Sequence, residues 1–411
     1  MSFFKEIKKS VNILVVVAAL GYFVDIYDLV LFGMLRVKSL VGLGLSGPAL
    51  LDSGVYLLNM QMLGMLLGGI LWGVLGDKKG RVSVLFGSIC LYSLANLANG
   101  FVTTVPLYAA CRFFAGIGLA GELGAGVTLV AETLSKKHRG YGVMIVATVG
   151  VLGAVGAAFM ANRVSWQMNY FIGGALGLAL LVMRVGAYES GLFDKMRKNT
   201  SVKRGNFLLL FRYKDLFYRY VLCILVGVPL WYMVGIIVMF APEFAAVLHV
   251  NGEVSAVNAI LYCYLGLALG DFLSGSLSQW FQNRRKVMLG FMVMMFASIC
   301  VLLKSFGVSA EQFYGICFVM GIFAGYWALF ITVAAEQFGT NFRATVATTV
   351  PNFVRGSVVL LTFVMTFFKS YMSLLQATFW LGVVVFILSS VSVLMLSETF
   401  HRDLDFVEEL P

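Results

Sequence analysis

Asp25, Asp28, Arg112, Glu122, Asp271 and Arg355 are ionisable side chains that stand inside apolar runs of this chain. A charge at the centre of a membrane span costs about 2.5–3.5 kcal/mol or more unless it is paired or solvated, so each is a functional candidate. Asp25 and Asp28 are one helical turn apart and share a face. Two close carboxylates beside one arginine push their affinities for a proton apart and leave one able to bind it; the competing expectation is a static ion pair that only fixes packing. Arg355 has no acid in its own apolar run, and Asn352 precedes it by one turn, beside Pro351. A planar guanidinium in that position can grip a carboxylate bidentately. The competing expectation for Arg355 is a structural pair with an acid from another helix. Glu122 lies among Gly116, Gly118, Gly121, Gly124 and Gly126, glycines that permit close helix contact. For Glu122 a proton site, an inner-gate partner and a structural hydrogen bond all stay open. Asp271 is expected to pair with a basic loop residue. Tyr22, Tyr27, Trp231, Tyr232, Tyr326 and Trp327 are candidates to complete a binding site, above all where Pro229 precedes Trp231 and Gly325 precedes Tyr326. Packing or an interfacial belt is the alternative for each aromatic.

The elements that must position these groups are membrane helices. Of 411 residues, 60% are apolar and only 12% charged, against about a quarter charged in soluble domains. The excess is spread along the whole chain, which excludes a soluble enzyme carrying a short anchor. Apolar runs of spanning length fall at 11–36, 53–76, 82–102, 105–132, 140–162 and 166–186, then at 220–241, 254–277, 286–304, 310–336, 344–367 and 374–396. Cations collect at Lys5/Lys8/Lys9, Lys78/Lys79/Arg81, Lys136/Lys137/Arg139, through the stretch 187–219, and at Arg284/Arg285/Lys286, while the alternate loops hold few: Arg36, Lys38, Arg163, Lys304 and Lys369. The positive-inside rule therefore places the N-terminus and the basic linker in the cytoplasm, and an even number of spans returns the C-terminus there. The net charge of +10 belongs to these loops and to anionic lipid headgroups; no nucleic-acid partner is expected. The first apolar run is too long for a signal peptide and no small-residue cleavage site follows, so it reads as a retained helix.

Cys90, Cys111, Cys223, Cys263, Cys300 and Cys317 all lie in apolar spans and read as small buried hydrophobes. His138, His249 and His401 are too scattered to build a metal site. With no Ser/His/Asp set and no phosphate loop, neither an enzyme nor a cofactor is expected.

A rise of about 1.5 Å per residue puts Asp28 roughly 26 Å from the cytoplasmic start of its span, Arg112 roughly 10 Å from the outer start of its own, and Glu122 roughly 26 Å below that outer surface. Arg355, roughly 17 Å into the eleventh span, comes close to the midplane.

The two halves repeat each other. Ala131-Glu132 followed by Arg139-Gly140 recurs as Ala335-Glu336 followed by Arg343-Ala344, offset by 204 residues, and Gly73…Asp77-Lys78-Lys79-Gly80-Arg81 recurs in degraded form as Gly275…Gln279 and Arg284-Arg285-Lys286, offset by 202. Residues 1–186 and 220–411 thus read as two parallel six-helix bundles joined by the linker 187–219, with a binding site between them.

The pattern Gly73-x3-Asp77-x2-Gly80-Arg81 resembles the signature loop of the major facilitator superfamily. The stretch Arg112-Phe-Phe-Ala-Gly116-Ile-Gly118-Leu-Ala-Gly121-Glu122-Leu-Gly124, the later Glu132 with Arg139-Gly140, and Gly21-Tyr22-Phe23-Val24-Asp25-Ile26-Tyr27-Asp28 resemble that family's metabolite:proton symporter branch. The resemblance implies an all-α membrane protein of twelve transmembrane helices in two pseudo-symmetric bundles. It makes the first and fourth helices neighbours, so that Asp28 meets Arg112, and it makes Gly73, Asp77, Gly80, Arg81, Glu132 and Arg139 a conformational latch against the eleventh helix, lopsided because Gln279 replaces the acid in the second copy. The implied function is proton-coupled symport of a small organic acid or zwitterion across the inner membrane by a monomer, with Asp25, Asp28 and Glu122 as proton-coupling groups. Arg112, Arg355, Asn352, Tyr27, Trp231 and Tyr326 are the expected substrate contacts. An uncoupled facilitator or exporter, and a membrane sensor that no longer transports, are the alternatives.

Overall fold

The computed structural model describes residues 13–79, 81–122, 139–189, 207–402 and 406–408. Twelve spans follow one another: α1 (Ile13–Gly42), α2 (Pro48–Lys79), α3 (Arg81–Asn99), α4 (Val105–Leu119), α5 (Arg139–Ala161), α6 (Trp166–Glu189), α7 (Lys214–Tyr232), α8 (Ala256–Phe281), α9 (Arg284–Leu303), α10 (Ala310–Ala324 with Trp327–Glu336), α11 (Thr340–Lys369) and α12 (Leu374–Met395). Nine of these are long and apolar enough to cross a membrane among the described residues; α3, α4 and α5 contribute shorter apolar stretches. The two ends of the bundle are called here the linker face, which carries the connection between the halves, and the far face, where α1 ends and α2 begins.

Each half packs in the same pattern. In the first, α1 lies along α5 and α6, α2 along α4, and α3 along α4 and α6; in the second, α7 lies along α11 and α12, α8 along α10, and α9 along α10 and α12. The lobes meet where α2 packs on α11 and where α8 packs on α1 and α5. Glycine seams make the close approaches. A methyl at Gly64 would collide with the Phe113 carbonyl across the α2–α4 seam, and one at Gly266 with the Phe318 carbonyl across α8–α10. These two glycines are 202 residues apart, the same offset as the loop repeat. Lipid offers helices no hydrophobic reason to associate, so such backbone-to-backbone contact is what holds the pair together. Large apolar side chains such as Val182, Leu360 and Phe363 are exposed on the outside of the bundle, which suits a surface in hydrocarbon.

Several boundaries differ from the expected ones. Helix α1 continues to Gly42, and α2 carries the Gly73–Lys79 stretch as helix, because nothing between breaks the backbone ladder. At the linker, α6 extends to Glu189 and α7 starts at Lys214. Helix α7 holds Pro229 and passes into a π-helical turn, Met233–Val238. Proline cannot donate to the carbonyl four residues earlier, and Ser389 Oγ of α12 donates to that Leu225 oxygen instead, at 2.7 Å. Helix α10 breaks at Gly325–Tyr326, where a side chain on Gly325 would collide with the backbone of Gly270 and Asp271 in α8.

Candidate functional site

A cavity of about 20 Å³, room for one or two waters, lies between the lobes; α1 gives it Tyr22 and Ile26, and the second lobe gives it Trp231, Tyr264, Trp327 and Arg355. Arg355 Nη2 stands 3.6 Å from Asp25 Oδ2 across the lobe boundary, with both side chains at most 1% exposed. That separation is an ion pair but too long for a good hydrogen bond. Arg355 Nε and Nη1, both Asp25 oxygens and Trp231 Nε1 have no hydrogen-bond partner among the described residues. The guanidinium also sits 6.0 Å from the Trp231 ring centre, within range of a cation–π attraction. Arg355 has no acid in its own helix, and the competing expectation of an acid from another helix is the one met here: the partner is Asp25, supplied by the other lobe, which no inspection of helix α11 alone could find.

Asp28 turns away from this cavity, into the first lobe. It is fully buried, with Arg112 the main opposing charge. Arg112 Nη1 donates to Asn96 Oδ1 at 3.3 Å, and its guanidinium lies 5.5 Å from the Tyr170 ring and 5.8 Å from that of Phe32. Arg112 is therefore placed with the carboxylate of α1 and off the cavity lining. The expected neighbourhood needs a correction in detail: the main partner of α1 is α5, and α4 reaches it through long side chains, because Gly150 and Gly153 let α5 come closer.

The other candidates disperse. Glu122 takes a bidentate ion pair with Arg184 of α6 in a fully buried setting. Asp271 does not meet a basic loop residue; its Oδ1 accepts from the Ala328 N–H at 3.0 Å and caps the second half of the broken α10. Tyr27 donates to the Asn169 carbonyl at 3.4 Å and Tyr326 to the Val226 carbonyl at 3.0 Å, both inside a lobe. Asn352 Nδ2 donates to the Ala120 carbonyl at 2.7 Å, tying α11 to the end of α4 across the lobe boundary on the linker side. Of the latch residues, Gly73 faces Thr349 of α11. Gly80, Glu132 and the side chains of Asp77, Arg81 and Arg139 lie outside the described residues. In the second half the counterpart pair, Arg284 with Glu336, is formed.

The structure adds groups that the sequence reading does not single out. Arg184 stood inside the sixth apolar run and belonged with the buried charges from the start. In the sequence Arg36 reads as a loop cation, but the longer α1 buries it to 1% exposure and pairs it at 2.6 Å with Glu243 of the second lobe. Its guanidinium lies 4.3 Å from the Phe240 ring centre, and a Cβ on Gly54 would come within 2.7 Å of its Cδ. Thr362 Oγ1 donates to Asn59 Oδ1 at 2.8 Å, a second cross-lobe contact in the far half. The lobes thus meet on both sides of the cavity. Tyr264 was missed because nothing local distinguishes it from a packing aromatic. Among the described residues no cluster of His, Cys, Asp or Glu could hold a metal ion.

Two pseudo-symmetric six-helix lobes enclosing a small cavity with a charge pair shared between them are the layout of folds that place a site at the interface of two repeats. The chain belongs to the Major Facilitator Superfamily, whose sequence profile matches residues 18–362. It is 31% identical over 194 residues to a putative metabolite transport protein of Haemophilus influenzae, covering 45% of this chain and 46% of that one. It is 30% identical over 171 residues to the niacin transporter NiaP of Acinetobacter baylyi, covering 41% and 38%. The chain spans less than half the length of these curated relatives. Its fold is that of the proton:xylose symporter XylE, with a TM-score of 0.71 at 15% identity over 96% of this chain and 97% of that one.

Proposed function

We propose that the protein is a proton-coupled symporter of a small organic acid, with an aromatic carboxylate as the substrate class. The observation that carries this is the loose Asp25–Arg355 pair in an aromatic-lined cavity between the lobes. A substrate carboxylate makes two parallel hydrogen bonds to a guanidinium fork, better than the single 3.6 Å approach of Asp25. Once displaced, Asp25 is a fully buried carboxylate without a counter-charge, a state costing several kcal/mol. Taking up a proton removes that cost. Substrate and proton therefore bind together, and Asp28, one turn along α1, passes the proton on. The rings of Tyr22, Trp231 and Trp327 favour a planar, apolar remainder on the substrate. Niacin, the compound named for one relative, is such a molecule.

The latch, Gly73, Asp77, Gly80, Arg81, Glu132 and Arg139, acts on the linker face in this reading, where Asp77 approaches the N-terminal end of α11 and its helix dipole. Both termini and the linker are cytoplasmic, the membrane is the bacterial inner membrane, anionic lipid meets the linker cations, and the monomer is the working unit.

The test is a thermal-shift and counterflow panel with nicotinate, benzoate, xylose and inorganic phosphate. Ligands that bind the native state raise its melting temperature, so the two carboxylates should stabilise it. Arg355→Lys keeps the charge but loses the fork, and should weaken nicotinate binding roughly ten- to a hundredfold. Stabilisation by xylose alone, or an unchanged affinity in Arg355→Lys, would refute the assignment. Cysteine labelling between 187 and 206 from the cell exterior would refute the orientation.

A further inference from the structure

The first lobe buries a second polar cluster, separate from the cavity between the lobes. Asp28 of α1, Ser93, Asn96 and Asn99 of α3, and Arg112 of α4 are all fully buried. Both Asp28 oxygens, Ser93 Oγ, Asn96 Nδ2, both amide atoms of Asn99, Arg112 Nε and Nη2, and the Tyr92 hydroxyl have no hydrogen-bond partner among the described residues. Buried polar groups are otherwise satisfied by protein or by ordered water, and native interiors leave only a few unsatisfied. So many orphans of both kinds in one place are what a file of internal waters would bind, each water needing two to four polar partners.

The geometry gives the file a direction. Ser93, Asn96 and Asn99 recur every three residues, which puts them along one face of α3. Asn99 is the last residue of that helix, at the far face. Helix α6, packed opposite, withholds side chains along the stripe: a methyl on Gly173 would collide with Asp28 Oδ1, and one on Gly177 with Ser93 Oγ. Asp28 meets the stripe at the level of Gly173, and Ser93 continues it one turn further from the far face, at Gly177. The charged and titratable groups facing Asp28 are Asp25 and Tyr27 of its own helix, Tyr92 of α3, Arg112 of α4 and Tyr170 of α6; the described side chains of α5 include no ionisable group.

We propose that this cluster is a hydrated proton path inside the first lobe, running from the far-face end of α3 past Asn99 and Asn96 to Asp28, apart from the route a substrate takes between the lobes. Each water accepts a proton from the one before it and passes another on, and the last transfer breaks a water O–H bond and forms the Asp28 carboxyl O–H. Ionised Asp28 offsets the charge of Arg112, so the arriving proton meets a site that is locally neutral. The proton can then reach Asp28 while the Arg36–Glu243 pair holds the lobes together at the far face. The proposal rests on the proton-coupled reading for its purpose, though not for its water.

Pulsed hydroxyl-radical footprinting of the purified protein, read by mass spectrometry, tests the water. Tyr232 and Tyr326 are equally buried but donate to the Thr378 and Val226 carbonyls, and serve as dry controls. Tyr92 should be labelled well above both, and Asn99→Leu and Gly173→Ala should each reduce that labelling severalfold. In proteoliposomes the same variants should slow nicotinate accumulation driven by a pH gradient severalfold and leave nicotinate counterflow without a gradient unchanged. If Asn99→Leu fails to fold, Gly173→Ala, which deletes no polar group, carries the test. Tyr92 as protected as the controls would overturn the proposal, and so would gradient-driven accumulation unaffected by either variant. Labelled Tyr92 in a wild type whose uptake ignores the gradient would overturn the proton route together with the coupled reading, and would identify the coupling as the failed premise.

Discussion

Arg36 and Glu243 are the ion pair that ties the two lobes together at the far face, and removing the acid should open that face. Arg36 is 1% exposed and its partner is a quarter exposed; Arg36 Nε and Nη1 have no other hydrogen-bond partner among the described residues. In Glu243→Ala the closed arrangement keeps a buried guanidinium with only the Phe240 ring for company, whereas separated lobes return it to water. Breaking a fully buried pair costs about 3–5 kcal/mol, and the exposure of Glu243 lowers that to about 2–3 kcal/mol. At 1.4 kcal/mol per decade, the equilibrium between open and closed far faces should shift roughly thirty- to a hundredfold toward open. Spin labels on Phe101→Cys and Phe306→Cys, exposed positions on the far-face loops of the two lobes, would report this by pulsed electron resonance, with Cys90 and Cys300 replaced by Ser. Wild type should give one short distance and Glu243→Ala a dominant longer one. The double variant Arg36→Gln/Glu243→Gln should fall between them, since it leaves no lone charge in the closed state. An unchanged distance distribution in a Glu243→Ala protein that melts normally would refute the reasoning.

Two further outcomes follow, one from a buried ion pair and one from a carboxylate held by backbone N–H groups. Arg184→Ala should lower stability by about 3–5 kcal/mol by stranding buried Glu122, whereas Arg184→Met with Glu122→Leu should come close to neutral; thermal unfolding of the single and double variants checks this, and additive losses would contradict it. Burial alone would raise the Glu398 carboxyl, but N–H bonds from Arg285, Phe400, Arg284 and Thr399 hold it below the ordinary glutamate value. Its stabilising contribution is therefore complete above about pH 4.3 and is lost as pH falls through the lower folded value. Glu398→Gln should flatten the acid limb of the melting profile, and parallel acid limbs would contradict this.

Most of the fold was legible in the sequence, because twelve apolar runs, alternating cation clusters and a repeat at an offset near 203 residues leave few architectures. Even the glycine seams keep that offset. The site was legible only by residue type. Depth arithmetic located Arg355 near the midplane, but its partner Asp25 arrives from another lobe, and pairing across lobes has no local signature. Arg36 was misplaced because a helix end predicted at residue 36 turned a buried lock into a loop charge. Asn96 and Asn99 went unnoticed because uncharged amides carry little weight in a search for costly charges. Asp271 was assigned a basic partner because the break in α10, which exposes an N–H for it to cap, follows from packing of Gly325 against α8 and not from sequence pattern.

The central claim is that a substrate carboxylate takes Arg355 from Asp25 and so forces Asp25 to bind a proton. Proton uptake on binding tests it without any membrane: nicotinate is added to purified protein in weakly buffered detergent, and the pH change is read with a dye. Wild type should take up about one proton per nicotinate bound, and Asp25→Asn should bind nicotinate with no uptake. Nicotinate binding to wild type without a change in pH would contradict the account.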